Sequence, residues 1–226
     1  MGVEYTSEQF EKKEYVHITF PNGETTRFNR YWGGHRFTDE EIEALLDGQY
    51  ISINTQNTRG IIGSLDWLEY NGYDYYGFAT WDATAYERAN APFPIRWNNH
   101  EFTREEEWLL RNGDKLLLVV ESHRTGNSYP VHVSFDLIND DRGKRWGIIP
   151  HFEEFNQPAS AFTRETCVFN PVFSGKQLTL ENITTLRKGE SIEYRGVSKN
   201  GREYTCDLRL DLDKQYNRWR IIPTFR

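Results

Sequence analysis

Three stretches of this chain align without a gap from an aromatic residue to a glycine. They run from Trp32 to Gly48, Trp97 to Gly113 and Phe173 to Gly189, a distance of 16 residues each time. The copies are offset by 65 and then by 76 residues. Self-similarity of this kind marks a repeat, and it restricts the fold before any single motif is read.

Each stretch reads as one capped helix. Thr38, Thr103 and Thr179 stand where an N-cap hydroxyl accepts a bond from an otherwise unpaired helical N–H. Glu41 and Glu106 follow three positions later and complete capping boxes, whereas Asn182 makes a weaker one. Leu45, Leu110 and Leu186 come two turns after Phe37, Phe102 and Leu178, on one helical face. Gly48, Gly113 and Gly189 then close the helices in the left-handed conformation. Helices this short need tertiary packing to persist.

After each glycine the period changes from helical to alternating. Ile51 and Ile53, Leu116 and Leu118, and Ile192 and Tyr194 take matching strand positions. Further alternation follows at Tyr129, Val131, Val133 and Phe135, and at Tyr204, Cys206, Leu208 and Leu210. The phrases Arg145–Phe152 and Arg218–Phe225 are near-identical, while the first copy ends less clearly near Tyr75–Phe78. A hairpin about Asn22-Gly23 precedes the first helix. The expected class is α+β: three tandem modules, each a short capped helix followed by an antiparallel β-meander. Their expected bounds are 1–88, with the leading hairpin, then 89–155 and 156–226.

With 226 residues, 37% of them hydrophobic and 27% charged, the chain suits an ordinary globular protein. No apolar run approaches the roughly 18–20 residues of a membrane helix. The start, Met1-Gly2-Val3-Glu4, shows neither a secretory leader nor a convincing lipidation signal, so a cytoplasmic location is expected. In that compartment Cys167 and Cys206 are expected as free thiols.

The net charge of -7 is unevenly spread. Residues 1–88 hold 15 acidic against 7 basic side chains, and residues 156–226 hold 8 against 12. An acidic front and a basic rear argue against a protein that coats nucleic acid along its length, but leave room for a DNA contact in the last third.

The phrase from Trp32 to Gly48 resembles the C-terminal repeats of type IA topoisomerases carried by conjugative elements, and related phage and plasmid accessory proteins. Phe173-Ser-Gly-Lys176, Leu178-Thr179, Gly189-Glu190 and Ser198–Tyr204 match the same pattern, so the resemblance covers about residues 28–226. Asn98-Asn99 and Lys176 depart from it. The resemblance implies a mobile-element origin and work near nucleic-acid machinery. It carries over no strand-passage activity, because the catalytic tyrosine domain is not in this sequence.

Catalytic and metal-binding patterns do not emerge. His35 and His100 share a repeat position that Lys176 fills in the third copy, and no further ligand stands at zinc-like spacing. His17, His123, His132 and His151 fall singly. The acidic runs at Asp39-Glu40-Glu41-Glu43 and Glu105-Glu106-Glu107 read as solvated helix starts matched to the macrodipole. No phosphate loop or nucleophile elbow occurs. The chain is therefore expected to be non-enzymatic, with no cofactor and no metal.

The aromatic content, 15%, is the other unusual feature. Trp32, Trp97, Phe173, Trp146 and Trp219 are repeat-equivalent core positions. Trp67, Tyr70, Tyr73, Tyr75, Tyr76 and Trp81 cluster instead among carboxylates. The expected partner-binding residues are Trp67, Tyr70, Tyr73 and Tyr76 with Asp66, Glu69 and Asp74, a setting that suits a protein interface. The leading expectation is a phage or mobile-element inhibitor of a host defence nuclease such as a CRISPR effector, acting stoichiometrically by protein contact. The alternative is a DNA-binding accessory of a topoisomerase or relaxase system, with Lys188, Arg195, Lys199 and Arg202 as the contact.

Overall fold

A computed structural model of the chain describes residues 4–10, 13–122, 125–141 and 143–226. Met1-Gly2 and His123 lie outside the described residues. The fold is α+β, with short helices beside several small antiparallel sheets.

Helix α1 spans Asp39–Leu46, α2 Arg104–Arg111 and α3 Leu180–Arg187. They begin at the threonines whose hydroxyls accept from Glu41, Glu106 and Asn182 N–H, and the first two carry full capping boxes. Each ends at a glycine of positive φ, 75° at Gly48, 92° at Gly113 and 87° at Gly189. A two-residue hairpin leads into every helix: Tyr31–Trp32 with His35–Arg36, Arg96–Trp97 with His100–Glu101, and Val172–Phe173 with Lys176–Gln177. Their turns hold Gly33, Asn98 and Ser174 at φ of 50° to 56°.

Four meanders supply the long strands. The first joins β1 (Glu4–Phe10), β2 (Lys13–Thr19) and β3 (Thr25–Asn29), so the leading hairpin has one more strand than its alternation predicts. The second joins β4 (Ile51–Ile53), β5 (Ile61–Tyr70) and β6 (Tyr73–Thr80). The third joins β7 (Leu116–Glu121), β8 (Ser128–Asp140) and β9 (Gly143–Pro150). The fourth joins β10 (Ile192–Val197), β11 (Glu203–Asp213) and β12 (Arg218–Phe225).

Two compact units result. One holds residues 1–97, 101–113 and 135–148, and the other 98–100, 114–134 and 149–226. Residues 89–155 thus contribute to both. In the first unit Val16, Ile18, Phe28, Phe37, Ile42 and Leu45 form a core with Ile53 and Phe78. Beside α2, Phe93 stacks edge-on to Phe102 at 5.3 Å and meets Phe135 at 4.9 Å. In the second unit Leu117 joins Cys167, Phe169, Ile183, Leu186, Cys206 and Leu208. Both cysteines are free thiols, and burial pushes Cys167 up to about 11, away from the reactive thiolate. Among the described residues no helix is long and apolar enough to cross a membrane.

Candidate partner-binding surface

The aromatic cluster lies on the β5–β6 hairpin. Its strands are joined by Asn71 (φ 52°) and Gly72 (φ 78°), closed by the pair Tyr70 and Tyr73. Two positive φ angles in a two-residue loop make the primed turn that matches strand twist. The turn fixes the register, which sets Trp67 against Tyr76, Leu68 against Tyr75 and Glu69 against Asp74.

Because side chains alternate across a strand, this register sorts the seven candidate residues onto two faces. Trp67, Tyr76, Glu69 and Asp74 share the face that begins at the core pair Leu65 and Phe78. Asp66, Tyr70 and Tyr73 take the other face, with Leu68 and Tyr75. They are not one patch. Tyr76 is half-buried, 5.4 Å from the Trp67 ring and 6.0 Å from Phe20, and packs on the core. Burial, then Asp66, raises its phenol pKa. Tyr76 is therefore a structural position of the sheet more than a contact. The exposed members are Tyr73 (77%), Tyr70 (68%), Trp67 (58%) and Tyr75.

Asp66, Glu69 and Asp74 are exposed. Asp66 accepts the Trp67 N–H at 2.8 Å, and Glu69 stands opposite Asp74, a like-charge pair that costs the hairpin stability. Among the described residues no lysine or arginine engages these three carboxylates.

The basic candidates are more scattered. Lys188 caps the C-terminus of α3, and Lys199 and Arg202 flank the turn between β10 and β11. All four are exposed, but Arg195 is bonded to Glu193 at 2.9 and 3.0 Å.

Two expectations for charged groups are corrected. Glu107 is not a solvated helix-start residue but is 6% exposed. Arg59 donates to it at 2.7 Å, Arg104 at 3.1 Å and Arg111 at 3.0 Å. Burial pushes its pKa up, but the bonds from Arg111 and Arg59 outweigh that and hold it below the usual carboxylate value.

His132 and His151 are not isolated either. His132, 3% exposed, sits 2.6 Å from Glu154 through Nδ1 and 2.7 Å from the Arg187 guanidinium through Nε2. Arginine only donates, so Nε2 accepts and Nδ1 carries the proton toward Glu154. Burial lowers the His132 pKa, and Arg187 lowers it further against the opposing pull of Glu154. The imidazole is therefore neutral. Lys115 closes the cluster with a 2.8 Å bond to Glu154. His151, Glu153 and Glu154 bring their ligand atoms within 4.8 Å, a spacing that could hold a cation. His151 already uses Nδ1 on Glu153 and Nε2 on Ser134, and Glu154 serves Lys115 and His132. His35, the repeat-position histidine, bonds the capping-box carboxylate of Glu41 at 2.9 Å.

No protein-family model, no curated protein and no solved structure matches this chain.

Proposed function

We propose that this chain is a non-enzymatic binding protein of a phage or mobile element, built from three copies of one α+β module, and that it holds a protein partner of basic surface. The observation carrying this reading is the β5–β6 hairpin, where Tyr70 and Tyr73 project from a primed turn on the face that carries Asp66, with Glu69 and Asp74 unneutralised on the face behind them. Residues 60–87 contain five acidic side chains and no lysine or arginine. Such a surface complements an arginine- and lysine-lined channel like that of a DNA-handling nuclease. The resemblance to mobile-element repeats supports a partner in host nucleic-acid metabolism, and an inhibitor of a defence nuclease is the role that fits both. Binding rather than chemistry is supported by the buried Cys167 thiol and by the His132 ring, both of whose nitrogens are engaged.

The test is a pair of variants. Tyr70→Ala with Tyr73→Ala removes two exposed rings from one face and should leave the unfolding midpoint unchanged. Buried aromatic anchors are each worth about 2 kcal/mol or more on truncation, so dissociation of the partner captured from host lysate should accelerate at least tenfold. Neutralising Asp66, Glu69 and Asp74 should lower the association rate at low salt. If the folded Tyr variant captures the same proteins with parental kinetics, the hairpin is not the interface.

A further inference from the structure

Two crevices, one within each unit, are made of the same parts. In the first unit Trp32, Trp81, Trp146 and Tyr86 wall a cavity of about 280 Å³ that Lys144 and Arg145 also line. In the second, Phe173 and Trp219 wall one of about 420 Å³ with Arg218 and Arg220. Trp146 and Trp219 occupy the same place in β9 and β12, and an arginine precedes each. Each indole N–H donates to the first carbonyl of a short 3-10 turn, Ala83 at 2.8 Å and Ala159 at 3.0 Å. Tyr86 is tied through its hydroxyl to both N–H and C=O of Ile62. The rings are thus held in place before any ligand arrives.

The two linings share a charge pattern that runs against the composition of the chain. The chain carries 34 acidic against 27 basic side chains, yet each lining has two cations and no carboxylate. Arg145 is bonded to Asp140 and Arg220 lies 2.8 Å from Asp213. Among the described residues Lys144 and Arg218 make no salt bridge, although the Asp82 carboxylate interacts with Lys144 and Arg218 lies over the Tyr216 ring at 5.2 Å. An apolar aromatic wall selects a planar ring, and an adjoining cation selects an anion on the same molecule.

We propose that each crevice binds one nucleotide, its base stacked on the fixed indole and its phosphate against Lys144 in the first unit or Arg218 in the second. This goes beyond the protein-partner reading, which concerns the hairpin, and the variants that test the two do not overlap. Free nucleotides and single-stranded nucleic acid share the base-plus-phosphate chemistry.

The experiment follows tryptophan fluorescence of the full chain titrated with thymidine, dTMP and an oligothymidylate of about eight nucleotides. Quenching by dTMP or the oligonucleotide, with thymidine binding more weakly than dTMP, is expected. Lys144→Glu with Arg218→Glu should weaken binding roughly tenfold and flatten its salt dependence. Both side chains are exposed, so the unfolding midpoint should hold. Comparable affinity per site for dTMP and the oligonucleotide identifies a free-nucleotide site, and much tighter oligonucleotide binding a strand site. The proposal is overturned if neither ligand quenches at millimolar concentration, if thymidine binds as tightly as dTMP, if base-free polyphosphate displaces the ligand equally well, or if the double variant binds unchanged.

Discussion

Helices α1 and α2 are built to one plan and packed by different physics. Both open with a capping box and bury a leucine at the same place, Leu45 and Leu110. At the next buried position α1 has Ile42, fully buried among Val16, Phe28 and Phe37, with Leu46 packed beside it. The residues 65 positions later are Glu107 and Arg111. Glu107 is also buried, 6% exposed against 0% for Ile42, but three arginines hold it in place of dispersion contacts. Arg111 continues to the carbonyls of Ala89 and Ala91 and lies over the Phe93 and Phe135 rings. Caps and one leucine therefore suffice to specify the helix. The remaining buried position decides what the helix can lie against: an isoleucine accepts any apolar surface, whereas Glu107 accepts only a neighbour that presents an arginine where Arg59 stands.

The strongest way to break this comparison is to remove the carboxylate. Glu107→Ala leaves Arg59 and Arg111 without it and should cost about 3–5 kcal/mol, read from urea unfolding. Glu107→Ile with Arg111→Leu copies α1 and should recover most of that loss. If the single change costs no more than a surface substitution, the charge cluster is decorative.

Helix α3 sharpens the contrast, because its Arg187 stands where α2 has Arg111 but meets a neutral imidazole. The folded pKa of His132 lies below its ordinary value of about 6.5. The unfolded chain takes up a proton that the native cluster refuses. Stability is therefore full above about pH 6.5 and falls as pH drops toward the folded pKa. Facing His132 are Glu154, Arg187 and Lys115, and protonation would set an imidazolium against the Arg187 cation. Unfolding midpoints should decline as pH falls below about 6.5, and His132→Gln should flatten that decline. A parent protein with no slope in this window would mean that His132 is not held neutral.

The smallest expected effects lie at the caps. Thr103→Ala and Thr179→Ala should each cost about 1 kcal/mol in thermal unfolding, with Thr103 the more sensitive because Glu106 returns its bond. Equal losses would show that the reciprocal bond adds nothing.

What was legible in the sequence was what depends on neighbours along the chain. The caps, the closing glycines and the strand alternation are local, and the structure has helices and strands at those places. The division of the aromatic cluster was also local, since Asn71-Gly72 is a primed-turn signature, but its consequence for register was missed. The union of His132, Glu154 and Arg187 was not legible. It joins a strand, a short turn and a helix across separations of 22 and 55 residues, and none of the three carries a local signal. Lys144 likewise reaches the lining that holds Trp81 only through folding, so a search for cations near Trp81 in sequence could not find it.

The glycines that close the helices differ in the room around them. A side-chain carbon built on Gly48 would meet nothing within 4 Å. One on Gly113 would come within 2.8 Å of the Arg88 guanidinium, and one on Gly189 within 2.7 Å of Arg164. Those arginines run on to the carbonyls of Phe135 and Leu210 and to the carboxylates of Asp136 and Asp211. Asparagine, which tolerates a left-handed backbone, is thus an open replacement at Gly48. At the other two positions a side chain would have to push aside the end of an arginine and the bonds it makes, so asparagine should cost more stability at Gly113 and Gly189 than at Gly48.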